Sequence, residues 1–565
     1  MATLFHHGSI LTMTDQDERP ESVLVRDGLI EHVGPLAEGR ALLREGDEEV
    51  DLDGAALLPG FIDPHGHLLT HGMMAACVDL AEVRSIDEMV AALREELARR
   101  PDADADRALI GVRYDPALLA EHRHPTRHDL DRVSTTVPVF VLHRSVHMGV
   151  GSTETLRRSA ITAELPDPEG GRFGREADGR TPDGYIEELS ALAAVGRGLA
   201  VEGGGTALIP GLAIDPAEAL RLAQQDYLRH GITTAQEGAA DPAAVDALAA
   251  AAQAGALDLD VVAYPLMSHG GAGCFADHPE LAGAYRGNLR LGGYKIILDG
   301  SPQARSAWMS SPYEPLEEGP VPADATAEAG ADAAAEEPGA CACGYPALRD
   351  EELAGYVDLA VEQGRQLIVH CNGDAAAEQW IRAWEQVLER DPAASRMRPV
   401  MIHAQTVRPD QILRMARADM IASIFAVHVY FWGDVHLRNL GPVRGRRISP
   451  TRTALDAGLR VTLHQDAPVT PPDMMLTIWA AVNRISREGR PIGLEQRIST
   501  WEALRAVTAD AAHQYGEEDS KGTIRPGIRA DLVVLDRDPL ATAPEQLRDI
   551  RVLRTIKDGR TVHRA

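Results

Sequence analysis

The chain has 565 residues, more than one hydrophobic core normally serves, so one large domain with additions or two to three domains is expected. Its 44% apolar and 25% charged residues suit a soluble α/β protein rather than a disordered chain. A formal charge of −29 repels phosphate backbones and anionic membranes, so neither nucleic acid nor a membrane is an expected partner.

No basic start followed by an apolar run opens the sequence, and no stretch of 18 apolar residues occurs, so a cytoplasmic protein is expected. Five cysteines make no disulfide framework, which fits a reduced compartment. Residues 1–57 alternate short β-type runs with turns, among them ESVLVRDGLIEHVG with a turn at Asp27-Gly28. His6 and His7 in this stretch read as surface residues.

From Leu57 onward, buried-strand runs alternate with helical stretches: LLPGFIDPHGH, PVFVLHRS, ITTAQEG, LDVVAYPLM, LGGYKIILDGS, RQLIVHCNGD, RPVMIHAQT, ADMIASIFAVH and LRVTLHQDAPV. That alternation predicts a (β/α)8 TIM-like barrel over 58–517, and polar residues recur at the C-terminal strand ends, where a barrel builds its active site. Two segments interrupt the pattern. Residues from about 84 to 210 are expected to form an inserted subdomain covering the barrel mouth, with His122 and His124 on its surface. Residues from about 314 to 344 form an Ala/Glu/Gly/Pro tract with eight acidic side chains and no basic one, expected to be a flexible loop. The close of the chain, KGTIRPGIRADLVVLD and IRVLRTIKDGRTVHRA, repeats the opening style, so 1–57 plus 518–565 are expected to make a small β-sandwich domain from both termini.

Chemistry concentrates at the strand ends. His65 and His67, two apart after an apolar strand, project the same way and can grip one ion, although two polar residues at a strand end is the plainer alternative. His370 and His403 end two later strands, and four converging imidazoles suit Zn, Fe, Co or Mn. Asp466 in LHQDAPV is either a helix cap or a carboxylate that ligates metal and shuttles a proton, with His464 behind it. Lys295 lies among apolar neighbours, where its charge is costly. A structural ion pair is one explanation; the other is a neutral amine that takes up CO₂ to form a carbamate bridging two metals.

PGFIDPHGH, the lysine of KIILDGS, HCNGD, HAQ, DAPV and KGTIRPGIRADLVVLDRDPL together resemble the amidohydrolase superfamily, and within it the amidohydrolase-3 group that contains YtcJ-like proteins and N-substituted formamide deformylase. The resemblance implies His65 and His67 on one metal, carboxylated Lys295 bridging, His370 and His403 on the second, and Asp466 as ligand and proton shuttle. It also implies that His428, Tyr430, Trp432 and Asp434 in HVYFWGDVH, with Asp299 and Gln303 in DGSPQ, line the substrate pocket, and that His147 is a pocket histidine.

Hydrolysis of a C–N bond in a linear amide-like small molecule, of N-formyl or N-acyl type, is the expected reaction. A metal-activated hydroxide attacks, His147 or His428 steadies the oxyanion, and Asp466 passes the proton to nitrogen. One or two divalent ions, zinc foremost, are the expected cofactors, and a homodimer is the expected assembly. A deaminase or cyclic amidohydrolase on the same site is the alternative. A non-catalytic metal-binding regulator would predict missing ligands, yet all six positions are filled.

Overall fold

In a computed structural model, which describes residues 2–100, 107–116, 118–144, 146, 148–168, 171–199, 212, 214–315 and 342–565, the pairs Asp27-Gly28 and Asp558-Gly559 form hairpin turns. Strand Ser22–Arg26 returns antiparallel as Leu29–Gly34 through Asp27 and Gly28, both left-handed (φ 50 and 81). Val552–Lys557 returns as Arg560–Arg564 through Asp558 and Gly559 in the same way (φ 49 and 74). A turn with two positive φ values suits the twist of the flanking strands and favours Asp-Gly.

The terminal strands form two sheets. One contains only N-terminal strands. The other joins Ser9–Ile10 and Ala56–Pro59 to Leu532–Leu535 and the C-terminal hairpin, with Ala56–Pro59 antiparallel to Leu532–Leu535. A single apolar cluster draws on both, with Phe5, Val23, Val25 and Ile30 against Leu57, Leu532, Val534 and Ile556.

Two further sheets carry the sites of interest, and all their pairings are parallel. In one, Ile232–Ala240 lies between Phe61–Ile62 and Asp260–Pro265, with Leu289–Leu291 at the edge. In the other, Gly293–Ile297, Gln366–Cys371, Val400–His403, Ile421–Ile424 and Arg460–Leu463 pair in sequence order. A parallel bridge between Leu266 and Lys295 links the two sheets at one side, and at the other the His67 amide donates to the Ala467 carbonyl at 2.8 Å. Strands such as Val400–His403 and Ile421–Ile424 are buried along their whole length, as parallel strands covered on both faces must be.

The chain separates into two compact units, with the sheets above in one of them. The other, within Leu69–Ala223, has its own six-stranded sheet in the order Arg172–Arg175, Pro182–Glu187, Met148–Gly151, Val139–His143, Leu109–Tyr114, Val78–Asp79. Separate apolar clusters pack on it, one around Phe140 and Leu142, one around Val139 and Val141. Helix Ile86–Arg99 begins there on Ser85, whose hydroxyl accepts from the Glu88 amide, with Asp87 and Glu88 in the first turn. His147 and residues 316–341 of the acidic tract lie outside the described residues. Cys343 is disulfide-bonded, while Cys77, Cys274 and Cys371 are free. No helix among the described residues is long and apolar enough to cross a membrane.

Candidate metal centre

His65 and His67 lie beyond the two-residue strand Phe61–Ile62, in an irregular bend, so the pleat of a strand does not align them. Gly66 makes the bend possible: a Cβ there would stand 2.6 Å from Asp63 Oδ2 and 2.8 Å from the Tyr227 hydroxyl. Behind His65, Gly238 leaves room for the ring, since a Cβ at that position would fall 2.6 Å from its Cε1. The two imidazoles meet edge to face with centroids 5.2 Å apart.

Asp466 draws the other groups together. Its Oδ1 lies 3.2 Å from His67 Nε2 and 3.6 Å from His65 Nε2, and its Oδ2 lies 3.9 Å from His403 Nε2. Its φ of 53 is left-handed, a conformation that Asp tolerates better than most residues. His65, His403 and Asp466 are all buried and each offers a ligand atom within 4.8 Å of the others. Lys295 Nζ sits 3.1 Å from His65 Nε2.

His403 pairs in register with Cys371 rather than His370, which would turn its side chain to the opposite face. It nevertheless meets His370, with centroids 4.5 Å apart, because the backbone turns left-handed at His403 and Ala404 (φ 71 and 46). Behind it, Nδ1 lies 3.1 Å from His464 Nε2, whose own Nδ1 lies 2.9 Å from the Ser423 hydroxyl.

Burial dominates the electrostatics. It pushes the His65 imidazole well below its usual range, helped by the Lys295 charge, and does the same to His403, helped by His370. His464 falls to about 3 for the same reason. Lys295 is brought down to about 8 by burial, against the pull of Asp466. For Asp466 burial acts upward, yet His67, His464 and Lys295 together outweigh it and hold the carboxyl below its ordinary value. The buried imidazoles of His65 and His403 beside an ionised carboxylate, whose Oδ1 lies near two Nε2 atoms without a well-aligned hydrogen bond, are a donor set that fits a divalent ion.

Lys295, Lys521 and Lys557 are the only lysines in the chain, and all three are buried. Arginine supplies every other permanent cation, so a buried lysine here marks a position where a compact amine is needed.

The segment HVYFWGDVH opens helix His428–Arg446. Helical spacing puts His428, Trp432 and His436 on one buried face. Phe425 bridges this face to the centre, 4.5 Å from the His428 ring and 5.8 Å from that of His403. His428 Nδ1 lies 2.9 Å from His436 Nε2. Tyr430 instead packs on Trp479, and Asp434 lies 3.5 Å from Arg490. Gln303 keeps a buried Oε1 without a partner among the described residues.

Asp299, expected in the pocket, stands behind His370 with its Oδ1 3.1 Å from Nδ1. Backbone amides occupy both oxygens, from Asn372 on Oδ1 and from Gly373 and Trp308 on Oδ2, so it braces the ligand strand. Two of the histidines expected at the surface are covered: His6 is buried beside Glu49, and His124 is half-buried and bonded to the Tyr114 hydroxyl. Sequence reasoning missed Gln236, whose Oε1 lies 2.6 Å from His65 Nδ1; a glutamine inside a run read as a buried strand, ITTAQEG, is the signal that was available.

Parallel strands thus bring buried imidazoles, a carboxylate and a lysine together, a donor set of the class that suits divalent metal. The chain belongs to the amidohydrolase family, whose model matches residues 48–563. It is similar to YtcJ of Bacillus subtilis (strain 168), 27% identical over 590 residues that cover 100% of this chain and 99% of that one. It is also similar to N-substituted formamide deformylase of Arthrobacter pascens, 27% identical with 98% and 96% covered. In fold it is similar to an uncharacterized metal-dependent hydrolase from Pyrococcus horikoshii OT3, at a TM-score of 0.73 and 22% identity over 96% of this chain and 99% of that one.

Proposed function

We propose that the chain hydrolyses the C–N bond of a linear amide-like small molecule, of the N-formyl or N-acyl class, at a divalent metal centre. The observation that carries this reading is the convergence of His65, His403 and Asp466 in one buried cluster, with His67 and Lys295 touching it and His370 beside it. Similarity to a deformylase of N-substituted formamides along nearly the whole chain supports the substrate class.

In this reading His65, His67, His370, His403 and Asp466 would hold one or two divalent ions, zinc foremost, and Lys295, if carboxylated, would add an anionic oxygen ligand. An amine brought down to about 8 has a neutral fraction at physiological pH that can take up CO₂. When bound, such an ion supplies the Lewis acidity that activates water and polarises a carbonyl. Water oxygen adds to the carbonyl carbon, the C–N bond breaks, and acid and amine leave. Asp466 receives the proton of the attacking water on a carboxylate oxygen and passes it to the leaving nitrogen. His428 donates to the substrate carbonyl oxygen, and Trp432 and Phe425 supply an apolar wall. Gln303, with its free Oε1, accepts from the substrate N–H.

With Leu289–Leu291 and Gly293–Ile297 counted as one strand interrupted at Gly292, the nine parallel strands of the two sheets are read as the eight of a closed (β/α)8 barrel over 58–517, supported by the Leu266–Lys295 bridge and the His67–Ala467 hydrogen bond. The terminal strands, 1–57 plus 518–565, are read as a β-sandwich on their shared apolar cluster. Zinc-loaded protein offered a panel of N-formyl, N-acyl and cyclic amides should release acid and amine in equal amounts. Ammonia release or ring opening would assign a deaminase or a cyclic amidohydrolase, and no turnover at full metal occupancy would overturn the reading.

A further inference from the structure

The hydrogen bonds behind His65 leave one arrangement of protons. The Pro64 carbonyl can only accept, so the Gln236 atom 2.8 Å from it is the amide nitrogen. That nitrogen's second hydrogen goes to the Tyr515 oxygen at 3.0 Å, which is open as an acceptor because the Tyr515 hydroxyl donates to the Asp63 carbonyl at 2.6 Å. Gln236 therefore has only Oε1 left for His65, and an amide oxygen can only accept. His65 Nδ1, 2.6 Å away, carries the proton, and Nε2 keeps its lone pair. Lys295 Nζ, a donor 3.1 Å from that Nε2, agrees with the same tautomer from the opposite side.

We propose that Gln236 is a positioning residue that locks His65 in its Nδ1–H tautomer, with Tyr515 and the Asp63 and Pro64 carbonyls closing the relay. The lone pair of Nε2 is thereby aimed at the Asp466 side of the cluster, 3.6 Å from Oδ1. All members of the relay are buried, so no water competes for the amide. Gln236 sits in strand Ile232–Ala240, beside the Phe61–Ile62 strand that leads into His65, so the lock is held by the sheet itself. Imidazole ligands depend on such outer partners for tautomer and ring orientation, at about 10–100-fold in metal affinity.

The proposal rests on the metal reading above, and zinc affinity of the stripped protein separates the two. Gln236→Leu, which removes the acceptor at similar volume, should bind zinc about 10–100-fold more weakly. Gln236→Glu keeps an acceptor on Nδ1, and as the neutral acid it can still donate to the Pro64 carbonyl, so it should lose less zinc affinity than Gln236→Leu. Gln514→Leu is the structural control: Gln514 donates to the same Pro64 carbonyl at 2.8 Å without touching an imidazole, so its zinc affinity should match wild type. Equal affinity in Gln236→Leu and wild type would overturn the lock alone, as would equal losses in Gln236→Leu and Gln514→Leu. A wild type that binds no zinc would overturn the metal reading and the lock together.

Discussion

Two buried polar clusters occupy the same unit and are built on opposite rules. Around Asp260, at the start of strand Asp260–Pro265, charges are matched: Lys521, Lys557 and Arg529 ring the carboxylate, and Glu517, Asp531 and Asp558 balance them. Burial works against every charge there, yet the opposite signs outweigh it, holding Asp260 down at about 2 and Lys521 well above its usual range. At the candidate centre the same burial goes unanswered. Imidazoles are driven neutral, and Lys295, whose nearest polar partner is an imidazole, comes down to about 8. A cluster of paired ions is complete in itself, whereas a cluster of neutral donors around one carboxylate is complete with a cation.

This contrast breaks first at the donors. His65→Ala should abolish amide hydrolysis, and Asp466→Asn should lower kcat about 10²–10⁴-fold, the usual weight of a general acid–base group, with zinc content measured alongside. Near-full activity of Asp466→Asn at full occupancy would remove the shuttle role. Stability should respond the other way round. Asp260→Ala leaves two buried lysines and the half-buried Arg529 short of a partner and should cost about 3–5 kcal/mol in urea unfolding, with zinc affinity unchanged.

The two lysines offer the sharpest pairing. Lys521→Met should cost about 3–5 kcal/mol by breaking a buried ion pair, while Lys295→Met in stripped protein should be neutral or stabilising, since it removes a buried charge with no close counter-ion. Equal losses would mean that Lys295 is an ordinary structural lysine. A smaller effect follows from pH. The Asp260 carboxyl titrates at about 2 when folded against an ordinary 3.8, so its contribution is complete above the unfolded value and is lost as pH falls through 2. Wild type should therefore lose about 2 kcal/mol of its advantage over Asp260→Asn between pH 4 and pH 2. Gly238→Ala, which crowds the His65 ring, should weaken zinc several-fold and leave the ion cluster untouched.

Residue type and strand-end position made the donors legible in sequence. His65, His67, Lys295, His370, His403 and Asp466 sit after apolar runs, and the two Asp-Gly hairpins announce their own backbone conformation. What joins them was not legible by period. His403 reaches His370 through a left-handed turn that alternation does not foresee, and His65 meets His67 through a glycine bend rather than a pleat. The pocket motif HVYFWGDVH reads as one lining segment until helical spacing splits it, with His428 and Trp432 toward the centre and Tyr430 and Asp434 toward Trp479 and Arg490. Asp299 and Gln236 meet histidines that are far away in sequence, so those contacts exist only in three dimensions.

The central claim is that the buried histidine cluster holds the metal on which amide hydrolysis depends. Stripped protein should be titrated with zinc while bound metal and N-formyl amide turnover are followed together. Turnover should be absent at the start, rise in proportion to bound zinc and saturate at one or two equivalents, and a His65→Ala/His403→Ala double variant should show neither. Turnover without metal, or equal zinc binding by the double variant, would contradict it.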